Sequence, residues 1–393
     1  MVIRSGNHFA KNNRPILKPI NKLPMYKILL FIFLFHFAEN VSAQEACTVE
    51  SVMAVKGNWK KVPDANMRYS KDQTAIISRI DHISELFKSA YPEPRGMEAA
   101  WYRTMDNESL ISNGPVPYNF NSLYKAWYCN QHVHKMLPGG ETGTWAYVFV
   151  NSFDWFFSDR DDPLHIHVNG KPVNLMPQKT GEWKGYPVYQ TYFGEGRDHF
   201  IILTHHDQLP WKAISQEQYL QVIRQRLADQ KKESSSGYAV NEENIKKSIA
   251  NNQNNKNLKE EDKIKMNAFL QKQLDEIQKS QGENVAKANK YLDDKIAVID
   301  DYIKKAGSAT LQQPAIMDKK FVGDFTGTFS TEEKGGKLLV ILNTEYFNLK
   351  LPNYVPQMMI LFWSWEKNAP SQDFKKQFEE NFPVEKLKDM LDK

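Results

Sequence analysis

The spacing of apolar residues changes several times along the chain, and each spacing predicts one kind of secondary structure. Between Lys71 and Ala90 apolar residues recur at three- and four-residue steps, which predicts an amphipathic helix. The same spacing predicts a second helix that begins near Phe120. From Thr144 to Phe153 the period is two and both faces are apolar, which is typical of a buried central strand.

Several short strands are predicted after this segment. Leu164 to Met176 contains the dipeptide Asn169-Gly170, which is the strongest two-residue signal for a β-hairpin. Residues 183–193 and 199–205 read as further strands. Their short spacing and the turn residues between them favour antiparallel pairing.

Two long helices are predicted in the middle of the chain. Ser215 and Gln218 have the spacing of a capping box, and an apolar stripe follows them. Residues 231–261 are rich in Ser, Asn, Gln, Lys and Glu, which predicts a disordered polar loop. The second helix is predicted over 262–305. Two helices joined by a polar loop are typical of an antiparallel helical hairpin of the coiled-coil kind.

The last part of the chain returns to strands, predicted over 321–329, 337–343 and 358–365, followed by helices over 371–382 and 384–391. Three strands are few for an independent sheet, so we expect them to complete the sheet of the first part. The predicted fold is therefore α+β, with a mostly antiparallel sheet built from N- and C-terminal segments. The predicted divisions are 44–212, the helical hairpin insertion 213–306, and 307–393.

An apolar run near the start predicts a secretory signal peptide. Residues Ile28 to Phe37 are apolar except for one histidine, and they are too few to span a bilayer. Small residues at 41–43 place the cleavage after Ala43, so residues 1–43 form the leader. Met25 is an alternative start, and an uncleaved anchor is the alternative to cleavage. We expect the mature chain to be secreted or periplasmic, with no transmembrane segment of its own.

The leader accounts for the positive charge of the full sequence. Its 43 residues hold six Lys and Arg and one acidic residue, which leaves 45 basic and 46 acidic residues in the mature chain. A nearly neutral chain gives no electrostatic reason to expect binding to nucleic acid.

The two cysteines, Cys47 and Cys129, are predicted to form a disulfide, because an even pair in an oxidising compartment is normally bridged. The alternative is that Cys129 is a free nucleophile or a metal ligand.

Histidine pairs are the main candidate for chemistry. His132 with His134 and His165 with His167 have the spacing that places two imidazoles on one face of a strand. That arrangement suits two ligands of a divalent metal such as zinc. The alternative is that these histidines are ordinary surface residues and that the protein has no cofactor. The standard nucleophile, phosphate-loop and zinc-protease motifs are missing from the sequence.

Aromatic residues give a second set of candidates. Trp155 and Trp183 lie beside predicted loops, where an exposed ring can stack on a sugar or anchor a partner. The sequence therefore favours a non-catalytic binding or interaction protein of the cell envelope, whose partner is an envelope protein or a polysaccharide. The alternatives are an extracytoplasmic metal-dependent hydrolase that uses the histidine pairs, and a carbohydrate-binding module.

Overall fold

The computed structural model describes residues 47–67, 72–105, 109–130, 135–139, 143–152, 156, 166–191, 196–205 and 208–393. Within the helices, the side chains of residues 234–241, 277 and 280–282 lie outside this description. The predicted leader, residues 1–43, lies outside the described residues.

The secondary structure of the described residues alternates between short strands and helices. The helices are α1 (Val49–Met53), α2 (Gln73–Ala90), α3 (Gln216–Asn254), α4 (Glu260–Lys305), α5 (Ser308–Leu311), α6 (Ala369–Asn381) and α7 (Val384–Lys388). The strands before α3 are β1 (Trp59–Lys61), β2 (Met97–Met105), β3 (Tyr118–Asn130), β4 (Lys135–Pro138), β5 (Trp145–Val150), β6 (His167–Val168), β7 (Lys171–Pro172), β8 (Asn174–Leu175), β9 (Gln178–Trp183), β10 (Tyr186–Gln190), β11 (Asp198–Thr204) and β12 (Trp211–Ala213). The strands after α5 are β13 (Ile316–Met317), β14 (Lys337–Leu342) and β15 (Met358–Ser364).

The large sheet has the strand order β1-β2-β3-β5-β15-β11-β10-β9, and β4 pairs with the far end of β3. Strand β15 comes from the C-terminal segment and pairs antiparallel with β5 on one side and β11 on the other. Only the β1–β2 pair is parallel among the described pairs of this sheet. The α+β fold and the mostly antiparallel sheet built from both ends of the chain are therefore confirmed.

The centre of the large sheet is covered on both faces, which explains why β15 is apolar at successive positions. Leu361 and Trp363 face a core that contains residues of α2, α6 and α7. Ile360 and Phe362 face a second core, shared with Trp211 and other residues next to a smaller sheet. A strand that is covered on both faces needs no polar alternation.

The smaller sheet has the order β12-β14-β13, with β8 also paired to β14. Its second face packs against the base of α3 and α4 through a third core, which includes Tyr219, Ile223 and Ile299. Successive layers are thus helices, the large sheet, the small sheet and the base of the two long helices.

Helices α3 and α4 lie antiparallel to each other. Arg224 pairs with Asp300 and Lys231 pairs with Asp293. Later residues of α3 thus contact earlier residues of α4. The Ser215–Gln218 capping box is present at the start of α3. None of the helices in the described part of the chain is long and apolar enough to cross a membrane.

The predicted disordered loop over 231–261 is wrong in its extent. Helix α3 continues to Asn254 and α4 begins at Glu260, so only residues 255–259 connect them. This segment is poor in apolar residues, but ion pairs at the i,i+4 spacing, such as Lys246–Glu242 and Lys265–Glu261, support a solvated helix.

Two further predictions are wrong. The helix expected near Phe120 is the long strand β3, whose first residues Tyr118, Phe120 and Ser122 alternate into the core. The strand expected over 321–329 is irregular, because Phe325 and Phe329 pack around Tyr219 and Tyr302 at the base of the long helices.

The Cys47–Cys129 disulfide is present, with the two Cα atoms 5.5 Å apart. It joins the segment that precedes α1 to the end of β3, so the first described residues are tied to the large sheet. The alternative of a free Cys129 thiol does not apply to this bridged state.

Candidate functional site

A concave surface lies at the β9–β10 edge of the large sheet, and we call it the edge cleft. It consists of two depressions, an outer one of about 560 Å³ and an inner one of about 340 Å³. Tyr189 and Leu209 line both depressions, so the two adjoin. Leu209 is 37% exposed although it is a large apolar residue, and it gives the cleft an apolar centre.

A local irregularity in the hairpin directs side chains into the cleft. Strands β9 and β10 are joined by the two-residue turn Lys184-Gly185, in which both residues have positive φ, as the tightest hairpins require. Along the pair the register shifts, because Val188 lies opposite Gly181 and Tyr189 lies opposite Lys179. A β-bulge of this kind re-aims the neighbouring side chains. It brings the Tyr189 ring and the Lys179 ammonium to the same part of the cleft.

The outer depression lies between β10, β11 and helix α7. The Tyr186 hydroxyl donates a hydrogen bond of 2.8 Å to Glu385, and the Lys388 ammonium lies 5.2 Å from the centre of the Tyr186 ring. The Lys184 ammonium donates to the carbonyl oxygens of Glu380 and Phe382, at the C-terminal end of α6. Burial lowers the pKa of Lys184. These contacts fix the position of the wall of the depression.

The inner depression lies where β9 separates from β14. The chain is still attached to β14 at Met176, whose amide donates to the Leu338 carbonyl, and then diverges into β9. The Lys337 ammonium bridges the gap by donating to the Gln178 side chain at 3.2 Å. Burial lowers the pKa of Lys337, and the nearby Glu332 carboxylate opposes that effect.

The edge cleft combines an apolar floor with a positive rim. Tyr189 and Glu332 are close enough that the carboxylate adds to the effect of burial in raising the pKa of the Tyr189 phenol. The charged side chains that line the two depressions are Lys179, Lys184, Lys337, Lys388, Glu332 and Glu385. Four cations against two carboxylates favour a ligand with negative charge. Among the described lining residues there is no His, Cys or Ser.

Of the four histidines in the two predicted pairs, His167 is among the described residues. His167 is exposed on β6, and its neighbours Ile166 and Val168 are buried, as the alternation predicts. It lines a separate groove of about 470 Å³ against α3, together with Asp229 and Glu233. Within the described residues no three His, Cys, Asp or Glu side chains come together in a way that could hold a metal ion.

The other histidine candidates, His132, His134 and His165, lie outside the described residues, as does Trp155. A metal role for the histidine pairs and a binding role for Trp155 therefore stay predictions.

Trp183 is partly buried and packs against the large core. Its ring lies 4.9 Å from Trp363 and stacks on Phe378, and its indole N–H donates to the Glu379 carbonyl. These contacts hold β9 against α6, and a binding role for Trp183 stays a prediction.

A half-buried pair formed by His199 and Glu379 lies beside the same aromatic residues. The imidazole Nδ1 is 3.5 Å from the carboxylate, which also accepts from the Trp363 indole and from Lys375. Burial raises the pKa of Glu379, but the hydrogen bonds from these partners outweigh it and the pKa falls. The His199 ring lies edge-on against Trp363 and Trp365, so the pair stabilises the junction of β11, β15 and α6.

Asp198, at the start of β11, is a buried carboxyl whose charge costs stability. It is fully buried, and one of its oxygens accepts from the Thr191 amide at 2.8 Å. Burial raises the pKa of Asp198, opposed by hydrogen bonds from Thr191. The folded state therefore holds the proton more tightly than the unfolded state, and stability falls as pH rises from the ordinary pKa through the raised one.

We expect Asp198→Asn to be more stable than the wild type near neutral pH, by on the order of 1 kcal/mol, and to lose this advantage below about pH 4. The amide keeps the acceptor for Thr191 and carries no charge. Urea unfolding at a series of pH values measures the difference, with Asp389→Asn at an exposed carboxyl as the control. A difference that stays constant with pH would contradict this explanation.

The edge cleft was missed by sequence reasoning because four distant segments form it. The Lys184-Gly185 turn was a readable signal for the hairpin, but nothing near it in sequence indicates that residues 332–338 or 385–388 lie beside it.

Comparison of the chain with protein-family models, with curated proteins and with solved structures finds no match.

Proposed function

We propose that the mature chain is a non-catalytic, extracytoplasmic binding protein that holds an extended, acidic segment of a partner protein in the edge cleft. The observation that carries this proposal is the combination, in one cleft, of four lysines with the apolar side chains around Tyr189 and Leu209. The disulfide and the predicted signal peptide support a location outside the cytoplasm.

An extended peptide suits the shape and chemistry of the cleft. In an extended chain successive side chains point to opposite sides, so one set can contact the apolar floor and the other set the lysines. Strand β9 pairs on one side only, with β10, within the described sheet. Its other edge offers main-chain groups to an added strand, which is a recurring mode of peptide recognition.

The contacts inside the cleft support binding without chemical conversion of the ligand. Tyr186, Lys184 and Lys337 are each held by a hydrogen bond within the protein. A preformed wall of this kind reduces the entropy lost on binding. The lysine rim is expected to accelerate association and to make affinity fall with increasing salt.

The test is a titration followed by fluorescence anisotropy, with a short labelled peptide that alternates Glu and Val. We expect this peptide to bind at low salt, and peptides of the same length that alternate Lys and Val, or Gln and Val, to bind much more weakly. Lys179→Glu/Lys337→Glu should weaken binding of the acidic peptide roughly ten-fold or more, because two attractive charges become repulsive.

The matched control is Lys350→Glu/Lys376→Glu, which changes the net charge equally at two exposed lysines outside the cleft. It should leave the affinity within about two-fold of the wild type, since distant surface charges are screened. Equal weakening by both double variants would reduce the effect to net charge and contradict the proposal. Binding of an acidic polysaccharide, such as polygalacturonate, without binding of the peptide would contradict the ligand class.

A further inference from the structure

Helix α4 carries large apolar side chains that belong to none of the three cores. Of the ten large apolar residues that are exposed in the described part of the chain, five lie on this helix. Four of them are Met266, Phe269, Tyr291 and Val298, with exposures of 44, 60, 57 and 37%. Exposed apolar residues that share one face usually mark an interaction surface.

These four residues share one side of α4, which we call the α4 stripe. They follow one another at steps of 3, 22 and 7 residues, which places them within about 60° around the axis of an α-helix. The stripe is about 48 Å long at the helical rise of 1.5 Å per residue. The residues that α4 buries, such as Leu274 and Ile299, lie on a different side.

We propose that the α4 stripe binds the same stripe of a second copy of this chain, with the two helices antiparallel. A two-fold interface requires that residue i of one copy meets residue j of the other, and j meets i. If Met266 lies opposite Val298 of the second copy, Phe269 lies opposite Lys295, between Tyr291 and Val298 of that copy. Each end of the paired helices therefore brings two apolar residues of one copy beside two of the other.

Charge complementarity selects this partner and this direction. In the antiparallel register Glu276 of each copy lies beside Lys287 of the other, so two opposite-charge contacts form at once. Within one helix these residues are eleven positions apart, about 16 Å, which is too far for them to pair. Glu276 also approaches Lys272 of its own helix at 3.9 Å, and a carboxylate can accept from two lysines.

The surface is separate from the edge cleft, so this inference does not depend on the proposed function. Pairing two copies through α4 places both helix pairs side by side, with Phe269 and Tyr291 covered from solvent. Large aromatic side chains contribute most to binding when the surrounding contacts exclude water from them.

Sedimentation velocity of the mature, oxidised protein across a dilution series tests the proposal. We expect a monomer–dimer equilibrium. Phe269→Ser/Tyr291→Ser should raise the dissociation constant roughly ten-fold or more. The matched control is Ile264→Ser, which removes an apolar residue that is 63% exposed on the opposite side of α4 and should leave the equilibrium unchanged.

A charge exchange tests the direction of pairing. Glu276→Lys and Lys287→Glu should each weaken the dimer, and the double exchange should restore it, because each new lysine meets a new glutamate of the other copy. Circular dichroism checks that all variants keep their helix content. A wild type that stays monomeric, an equal effect of Ile264→Ser, or a double exchange that fails to restore the dimer would overturn the proposal.

Discussion

Trp363→Ala is expected to lower the free energy of unfolding by about 3–5 kcal/mol, because it opens a large cavity in the centre of the large sheet. Trp363 is fully buried on β15, and its ring contacts Trp183 and Phe378. Its indole N–H also donates to Glu379 at 3.0 Å, so the variant leaves a half-buried carboxylate short of one donor. Urea unfolding followed by circular dichroism measures the change.

Two further variants separate the causes of that loss. Trp363→Phe removes the donor but keeps most of the ring, so it should cost roughly 1–3 kcal/mol. Phe362→Ala, at an equally buried position on the other face of β15, should cost as much as Trp363→Ala if both faces are covered. Leu349→Ala, at a residue that is 58% exposed, should have almost no effect. A small effect of Phe362→Ala would contradict the burial of both faces of β15.

Removing the disulfide is expected to destabilise the protein by about 2–4 kcal/mol. Cys47 and Cys129 are 82 residues apart in sequence, so the bridge closes a long loop in the unfolded chain and reduces its entropy. Cys47→Ser/Cys129→Ser should therefore unfold at a lower urea concentration than the oxidised wild type.

Reduction provides the control for that measurement. Wild-type protein unfolded in the presence of dithiothreitol should behave like the double variant, since both lack the bridge. A double variant that unfolds at the same urea concentration as the oxidised wild type would show that the bridge adds no stability.

The sequence predicted the fold correctly where the local residue pattern and the tertiary contacts favour the same structure. Strand β15 is apolar on both faces, and it is buried on both faces. The dipeptide Asn169-Gly170 has positive φ at both positions, as its hairpin turn requires. In these cases the local preference and the tertiary environment agree.

The parts that sequence predicted wrongly are those where tertiary contacts decide. Around Phe120, apolar residues occur at helical spacing as well as at alternate positions, so the pattern fits a helix and a strand. The presence of β2 on one side and β5 on the other selects the strand. The composition of residues 231–254 predicts disorder, but packing against the neighbouring α4 stabilises them as a helix.

The candidate site could be predicted only in part. The alternation around His167 indicated correctly that this side chain faces outward. The lysines of the edge cleft, in contrast, are unremarkable in sequence because Lys179, Lys337 and Lys388 come from three distant segments. Their common location depends on the pairing of β8 with β14 and on the position of α7, which no local pattern reveals.

Hydrogen–deuterium exchange, with and without the peptide that alternates Glu and Val, tests the binding proposal most directly. Amide protons are protected where a ligand covers or stabilises the backbone. The proposal predicts added protection over residues 176–190 and 332–338, which line the edge cleft, and little change elsewhere. Protection confined to α3 and α4, or no protection at the cleft while the peptide is bound, would contradict it.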